Sequence, residues 1–368
     1  MARARAIGRN VEALGDGSMT PASPTDLPNR EVAGTGQGIR AGSIGPLIAS
    51  WSERLALPVL WLVVSLVFAL LPATGAHFAT LATFGSIFGA GAVTVVLTLG
   101  LIVPALGGDY DLSVAYNLTL SSILLAELNV NLHLDVAVAA VIVVAVGAVA
   151  GVCNAIVSVK FKVDPFIATL GTGTVMAGIT LWVSHSATIS GISTGLSNIV
   201  VTDRWIGLPI EFYFALGLAL AMSFVFAYLP SGRKLKYVGL QRDVARLSGV
   251  AVGKVRTTAF IASGVLSAVA GIMYAGNAGA ADPSSGVSLL LPAFAAAFLG
   301  STTILPGQFN PLGALVAVYF LGTGITGLEL LGASSYIQDL FYGGALIVAV
   351  IVSGAVRRKR STAKQDQV

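Results

Sequence analysis

The chain has 368 residues, 55% of them hydrophobic and only 10% charged, with a mean hydropathy of +0.85 and a formal net charge of +4. A soluble domain carries about 25% charged residues, so the composition excludes a water-covered globule and a disordered chain, and the single cysteine, Cys153, excludes a disulfide scaffold. The chain belongs in a lipid bilayer, where its 43 glycines let helices approach closely.

Residues 1–54 are rich in Gly, Pro, Ser and Thr and contain no long apolar run, so they read as a disordered tail. The first long apolar run begins near Leu55, too far from the first basic residues for a secretory signal, and the tail is expected to be retained. A membrane crossing needs about 20 apolar residues. Ten stretches come close: 55–71, 86–106, 112–131, 136–159, 165–183, 212–229, 257–276, 287–305, 311–331 and 337–356. The third carries Asn117, Ser121, Ser122 and Glu127, and the eighth contains Pro292 and ends in Ser301-Thr302-Thr303. A basic tail, 357–368, closes the chain. The expected fold is therefore an all-α polytopic membrane protein, with a ten-helix transmembrane body over 55–356.

Cytoplasmic segments of membrane proteins are enriched in Lys and Arg. Six such residues lie in the N-terminal tail, two (Lys160, Lys162) follow the fourth stretch, seven lie between 233 and 256, and five lie in the C-terminal tail. Ten crossings from a cytoplasmic N-terminus put twenty of the 21 on the inner side, leaving only Arg204 outside, and make both termini cytoplasmic. Because the basic residues are spread over four segments, topology accounts for them better than nucleic-acid binding does. His77, His133 and His185 lack metal-ligand spacing and read as loop residues. Cys153, inside an apolar run, reads as a small packing residue.

Catalytic signatures are missing. No G-x-x-x-x-G-K-[ST], H-E-x-x-H or Cys-x-x-Cys pattern occurs, so neither a P-loop nor a metal or hydrolytic centre is expected in this chain. An ionisable residue at mid-membrane costs about 2.5–3.5 kcal/mol or more and marks an ion pathway. Here Asp109, Asp111, Glu127, Asp164, Asp282 and Glu329 all fall near the ends of the stretches. A coupled-ion mechanism has little to work with, and the driving energy is expected from another subunit.

The segment 230–256 is the most informative. Its core, Gln241 to Gly249, suits two helical turns closed by a glycine C-cap. So short a helix is unstable alone. Either it is a solvated basic loop that fixes topology, or it docks on a cytoplasmic motor.

Three motifs carry a resemblance. Val244-Ala245-Arg246-Leu247-Ser248-Gly249-Val250-Ala251-Val252 is similar to A-A-R-x-S-G-I-x-V, Gly107-Gly108-Asp109-Tyr110-Asp111-Leu112-Ser113-Val114 to G-G-x-D-L-S-V-G with one extra residue, and Pro165-Phe166-Ile167-Ala168-Thr169-Leu170-Gly171 to P-F-I-A-T-L-G. Together with Asn154, they resemble the permease subunits of ABC importers for ribose and related monosaccharides over about residues 78–356. The C-terminal third departs: Leu290-Leu291-Pro292-Ala293 stands where that family commonly has E-L-D-A, Leu299-Gly300-Ser301-Thr302-Thr303 replaces G-G-T-S, and Glu329 stands at a usually neutral position. These changes bear on the identity of the substrate.

The resemblance implies an importer without a cofactor of its own, ATP and magnesium being held by a partner ATPase. An extracytoplasmic binding protein would deliver the solute, and a second permease copy, identical or related, would complete the dimer. Ala245, Arg246, Leu247, Ser248 and Gly249 would couple to the ATPase. Gly107, Gly108, Asp111, Leu112, Ser113, Asn154, Pro165, Phe166, Thr169 and Gly171 are the candidates for the translocation path. Each also has a structural reading: Gly107-Gly108 as a tight turn, Asp111 as an N-cap, Asp164-Pro165 as a helix start, and Thr169, Thr172 and Thr174 bonded to their own backbone. Gly85 with Gly89, and Gly147 with Gly151, are spaced for helix packing. Permeases for nucleosides or branched-chain amino acids are the nearest alternatives, a gradient-driven carrier a more distant one, and a scaffold without transport the least supported.

Overall fold

The computed structural model describes residues 45–198, 200 and 204–365. Most of the tail, 1–44, and the last three residues lie outside the described residues. The helices are α1 (Gly45–Leu70), α2 (Gly75–Phe78), α3 (Leu81–Leu106), α4 (Val114–Ala126), α5 (Val136–Ala155), α6 (Pro165–Val183), α7 (Thr194–Ser197), α8 (Ile210–Tyr228), α9 (Pro230–Leu240), α10 (Arg242–Leu247), α11 (Val252–Ala278), α12 (Leu290–Gly300), α13 (Pro311–Leu330) and α14 (Tyr336–Gln365). α4 and α5 each run on into one π-helical turn, Glu127–Asn131 and Ile156–Lys160. The fold is all-α apart from two short antiparallel ladders in loops, β1 (Ile189–Ser190) with β4 (Ala280–Ala281) and β2 (Arg204–Trp205) with β3 (Leu208–Pro209).

Among the described residues, seven helical segments are long and apolar enough to cross a membrane: α3, α5 with its π turn, α6, α8, α11, α13 and Tyr336–Ala355 of α14. Arg54–Leu70 and Ser285–Gly300 are shorter apolar helices. The expected stretch 287–305 ends early for a chemical reason. The hydroxyls of Ser301 and Thr302 turn back to the carbonyls of Phe298 and Leu299 at 2.7 Å each. Asn310 Nδ2 then takes Gly300 O and Thr303 O, so residues 301–310 form an irregular plug. The expected tail boundaries shift as well: α1 begins at Gly45, inside the stretch read as tail, and α14 continues to Gln365. Arg, Lys, Ala and Gln propagate a helix once packing has nucleated it.

Local capping explains where several helices begin. Thr80 Oγ1 accepts Thr83 N–H, Asp135 Oδ1 accepts Ala137 N–H, Asp164 Oδ1 accepts Phe166 N–H ahead of Pro165, and Asn310 Oδ1 accepts Gly313 N–H ahead of Pro311. Each cap gives a partner to an amide that the first helical turn leaves without one, which fixes where the helix starts.

Helix α3 is the central post. About four-fifths of its span is enclosed (78%), against 28% for α5, α6 and α8 and 11% for the α14 span. Around it pack α8, α11, α12 and α13. The outward faces are apolar, with Leu62, Val141, Trp182 and Ile351 all more than 60% exposed. An apolar surface so extensive fits lipid and not water.

The most extensive helix crossing joins α5 to α11. A Cβ on Gly147 would lie 2.5 Å from Ala268 Cβ and 2.7 Å from Gly264 O, and one on Gly151 or Gly264 would overlap the facing backbone. On α3, Gly89 lies at a helix contact as expected, but against a side chain, Glu211 Oε1 of α8, whereas Gly85 meets the guanidinium of Arg204 in a loop. Cys153 is not a packing residue but exposed. It stands two residues past Gly151, about 200° round the helix, on the face turned away from α11.

Candidate functional site

One end of the bundle carries α9, α10 and the turn between α3 and α4. Gly107 ends α3, and Gly108 takes φ +80°, a conformation that favours glycine. A Cβ on Gly107 would come within 2.8 Å of Leu235 Cδ1 on α9, and one on Gly239 would overlap the Leu106 carbonyl. The backbones are therefore in close contact, and Arg242 at the head of α10 donates from Nη2 to Gly108 O at 2.8 Å and to Asp109 Oδ1 at 2.6 Å. Arg256, in the first part of α11, donates from Nε to Asp109 Oδ2 at 2.7 Å and from Nη2 to Oδ1 at 2.9 Å. Asp109 is 2% exposed and both its oxygens are taken by guanidinium groups. Such charge-assisted pairs are the strong, directional class of hydrogen bond.

Helix α10 has one seated face and one bare face. Ala245 is fully buried with Val238 and Val252, and Val250 N–H returns to Ala245 O at 3.0 Å. Gly249 closes the turn at φ +80°, and Ser248 Oγ lies 3.0 Å from Tyr237 Oη. Val244, Arg246 and Leu247 point away, Leu247 being 88% exposed.

Deeper in the bundle, Asp111 is buried among neutral donors. Its Oδ1 accepts Ser113 N–H at 3.0 Å, Ser113 Oγ at 2.6 Å and Asn154 Nδ2 at 3.4 Å, and its Oδ2 accepts Ser263 Oγ at 2.8 Å. Asn154 also donates to Ser113 Oγ at 2.7 Å and accepts Thr172 Oγ1 at 2.5 Å. Thr169 Oγ1 donates to Pro165 O at 2.8 Å and accepts Leu112 N–H at 3.0 Å. This network ties α4, α5, α6 and α11 together at one level. α4 itself starts at Val114, and Asp111 sits two residues before its cap position, Ser113.

The candidate residues thus separate into three groups. Gly107 and Gly108 belong with the α9–α10 end. Asp111, Leu112, Ser113, Asn154 and Thr169 form the buried network, with Pro165 bonded to it through its carbonyl. Phe166 and Gly171 take no part: Phe166 is 51% exposed, and a Cβ on Gly171 would meet no atom within 4 Å, so both lie on the outward face of α6.

Three residues lie outside the sequence reading of the site. Arg242 and Arg256 were counted only as topology markers, although they clasp Asp109. Glu211, one residue outside the stretch 212–229, is 4% exposed at the start of α8 and accepts Asn277 Nδ2 at 3.0 Å and 3.2 Å. An acid heading an otherwise apolar run was the available signal. At the same end of the bundle, Asp282 accepts Thr188 Oγ1 at 2.7 Å, Ser284 N–H at 2.8 Å and Ser284 Oγ at 2.5 Å, joining the loop after α6 to the segment after α11. These donors hold its carboxyl below the usual value of 3.8.

Residues 82–350 match the family described as branched-chain amino acid transport system / permease component, and the chain belongs to that family. It is 33% identical to the ribose import permease protein of Bacillus subtilis (strain 168) over 274 residues, 73% of this chain and 83% of that one. It is 31% identical to the D-allose transport system permease protein of Escherichia coli (strain K12), over 77% and 86% of the two chains. It is 29% identical to the autoinducer 2 import system permease protein of Salmonella typhi, over 79% and 83%. No solved structure matches the chain significantly.

Proposed function

We propose that the chain is the membrane-spanning permease subunit of an ATP-driven ABC importer in a bacterial inner membrane, and that its solute is a small sugar of the monosaccharide class. The ribose, allose and autoinducer 2 permeases among its relatives support the solute class. In this reading the bundle crosses the membrane ten times, with α1, α4 with its π turn, and α12 joining the seven longer spans, and both termini are cytoplasmic. The end bearing α9 and α10 then faces the cytoplasm, where the Lys and Arg residues cluster. ATP and magnesium are bound by a separate ATPase, the solute arrives on an extracytoplasmic binding protein, and a second permease copy completes the pathway.

The observation that carries this reading is α10. A six-residue helix, seated by Ala245 and held by Arg242, exposes Val244, Arg246 and Leu247 with nothing over them among the described residues. Closure of an ATPase against that face would move α10, and with it the Asp109 turn at the α3–α4 junction. The states of the bundle would then differ in their contact with the motor, which is what shifts their populations.

The experiment is affinity purification of the tagged chain from its own membranes with mass spectrometry of what co-elutes, followed by reconstitution. A stoichiometric P-loop subunit, and uptake that Arg246→Glu abolishes while the protein still inserts, are the expected results. Full uptake by Arg246→Glu would remove α10 from the coupling role. Uptake without ATP that a protonophore stops would replace the reading with a gradient-driven carrier.

A further inference from the structure

Helices α8 and α11 both pack on α3 but make little contact with one another. The gap between them is a cleft of about 660 Å³, within the ~300–1,000 Å³ range of small-ligand sites. Its floor and walls are apolar, with Val103 of α3, Met222 and Val225 of α8, and Val255 and Leu266 of α11. The chain closes one end itself. After Leu229 the backbone turns at Pro230, and Gly232 presses so closely on Val225 and Phe226 that a Cβ there would overlap their backbone. That contact brings Lys234 of α9 to the mouth of the cleft, opposite Lys254 of α11, with Ser231 and Thr258 beside them. Among the described residues, no acidic side chain lines the cleft.

An aliphatic slot lined by two cations and no carboxylate has a defined complement. We propose that this cleft binds an anionic phospholipid, its phosphate between Lys234 and Lys254 and one acyl chain along the apolar walls, the other chain remaining in the bilayer. A sugar has no aliphatic length to fill such a slot, and a zwitterionic headgroup would set its own ammonium against the lysines. Basic pockets between membrane helices near a headgroup layer bind anionic lipids on this principle. The leaflet concerned rests on the cytoplasmic placement of α9 proposed above, whereas the site itself does not.

The test is native mass spectrometry of the purified full-length chain in detergent, titrated with phosphatidylglycerol or phosphatidylcholine. The expected result is one retained phosphatidylglycerol and no comparable phosphatidylcholine adduct, with retention falling about tenfold or more in the double variant Lys234→Gln/Lys254→Gln. Both lysines are exposed, so the variant is expected to fold, and its melting temperature checks this. Ala262→Trp, which fills the cleft, should also abolish retention. Equal retention of the two lipids, or unchanged retention in the double variant, would overturn the proposal. So would unchanged lipid retention accompanied by loss of a co-purifying ATPase, or by loss of a dimer, since the lysines would then belong to a protein interface. None of these outcomes depends on whether the chain transports a sugar.

Discussion

Arg242 reaches back 133 positions along the chain to donate to Asp109 Oδ1 at 2.6 Å, and Arg256 closes on the same carboxylate from α11. The two pairs are not equivalent. Arg256 is 13% exposed and Arg242 38%. Breaking a buried ion pair by removing one partner costs about 3–5 kcal/mol, whereas a half-exposed pair is worth about 0–1 kcal/mol. Arg256→Ala should therefore lower the stability by ~3 kcal/mol, and Arg242→Ala by less than ~1 kcal/mol. Transport should respond in the opposite proportion, because Arg242 is the residue that ties α10 to the turn. Thermal unfolding in detergent and ATP-driven uptake, measured on both variants, separate the two effects.

Helix α10 offers a second contrast between seating and reach. Ala245 is fully buried and Leu247 is 88% exposed, two residues apart on opposite faces. Ala245→Asp places a carboxylate among Val238 and Val252 and should release α10 from the bundle, visible as proteolytic cleavage between 240 and 250. Leu247→Asp leaves the seat untouched. It should keep wild-type protease resistance and melting temperature while weakening co-purification of the ATPase. If Leu247→Asp retains full complex and full uptake, the exposed face of α10 is not the docking face.

Much of this was legible locally and some of it was not, for reasons that are physical. Asp164-Pro165 announces a helix start because cap and first turn are neighbours in sequence, and the structure places Asp164 Oδ1 on Phe166 N–H at 3.0 Å. The strings 107–114 and 241–249 were each visible, but that Asp109 and Arg242 meet is a property of packing and no spacing encodes it. The string 165–171 spans nearly two helical turns, so its members cannot all face one way. Thr169 turns inward to Leu112 N–H, while Phe166 and Gly171 turn out. The small pairs on α3 and α5 look alike as strings. Only the fold shows that Gly147 and Gly151 meet a helix backbone and Gly85 and Gly89 meet the side chains of Arg204 and Glu211.

Asp282 supplies a pH dependence at the other end of the bundle. Hydrogen bonds from Ser284 and Thr188 depress its carboxyl below 3.8. A carboxyl depressed in the folded state adds stability that is fully present above the unfolded value and is lost as the pH falls through the folded one. The tie between Thr188 and Asp282 should thus be intact at neutral pH and weaken only below the ordinary aspartate range. Protection factors of the loop 184–193, the intrinsic exchange rate divided by the observed one at each pH, should be constant from neutral pH down to near 4 and fall at lower pH. Asp282→Asn should remove that acid-side step.

The crossing of α5 and α11 sets the limit on what the bundle tolerates. Gly264 faces Gly147 and Gly151, and Asn117 Nδ2 donates to the Gly264 carbonyl at 2.9 Å, so α4, α5 and α11 converge on one residue without a side chain. A methyl group at 264 would overlap the Gly147 carbonyl, and the neighbour is backbone, which cannot rotate away. Overpacking of a core costs about 1–3 kcal/mol and more where the obstacle is rigid. Gly264→Ala should therefore lower the stability by ~2 kcal/mol or more, and Gly264→Leu should abolish a monodisperse peak in fluorescence-detected gel filtration. Gly171→Ala on the open face of α6 is the control. With no atom within 4 Å of the added carbon and alanine about 1 kcal/mol the better helix former, it should leave the peak unchanged or sharpen it. If Gly264→Leu and Gly171→Ala elute alike, α5 and α11 are not packed at these glycines.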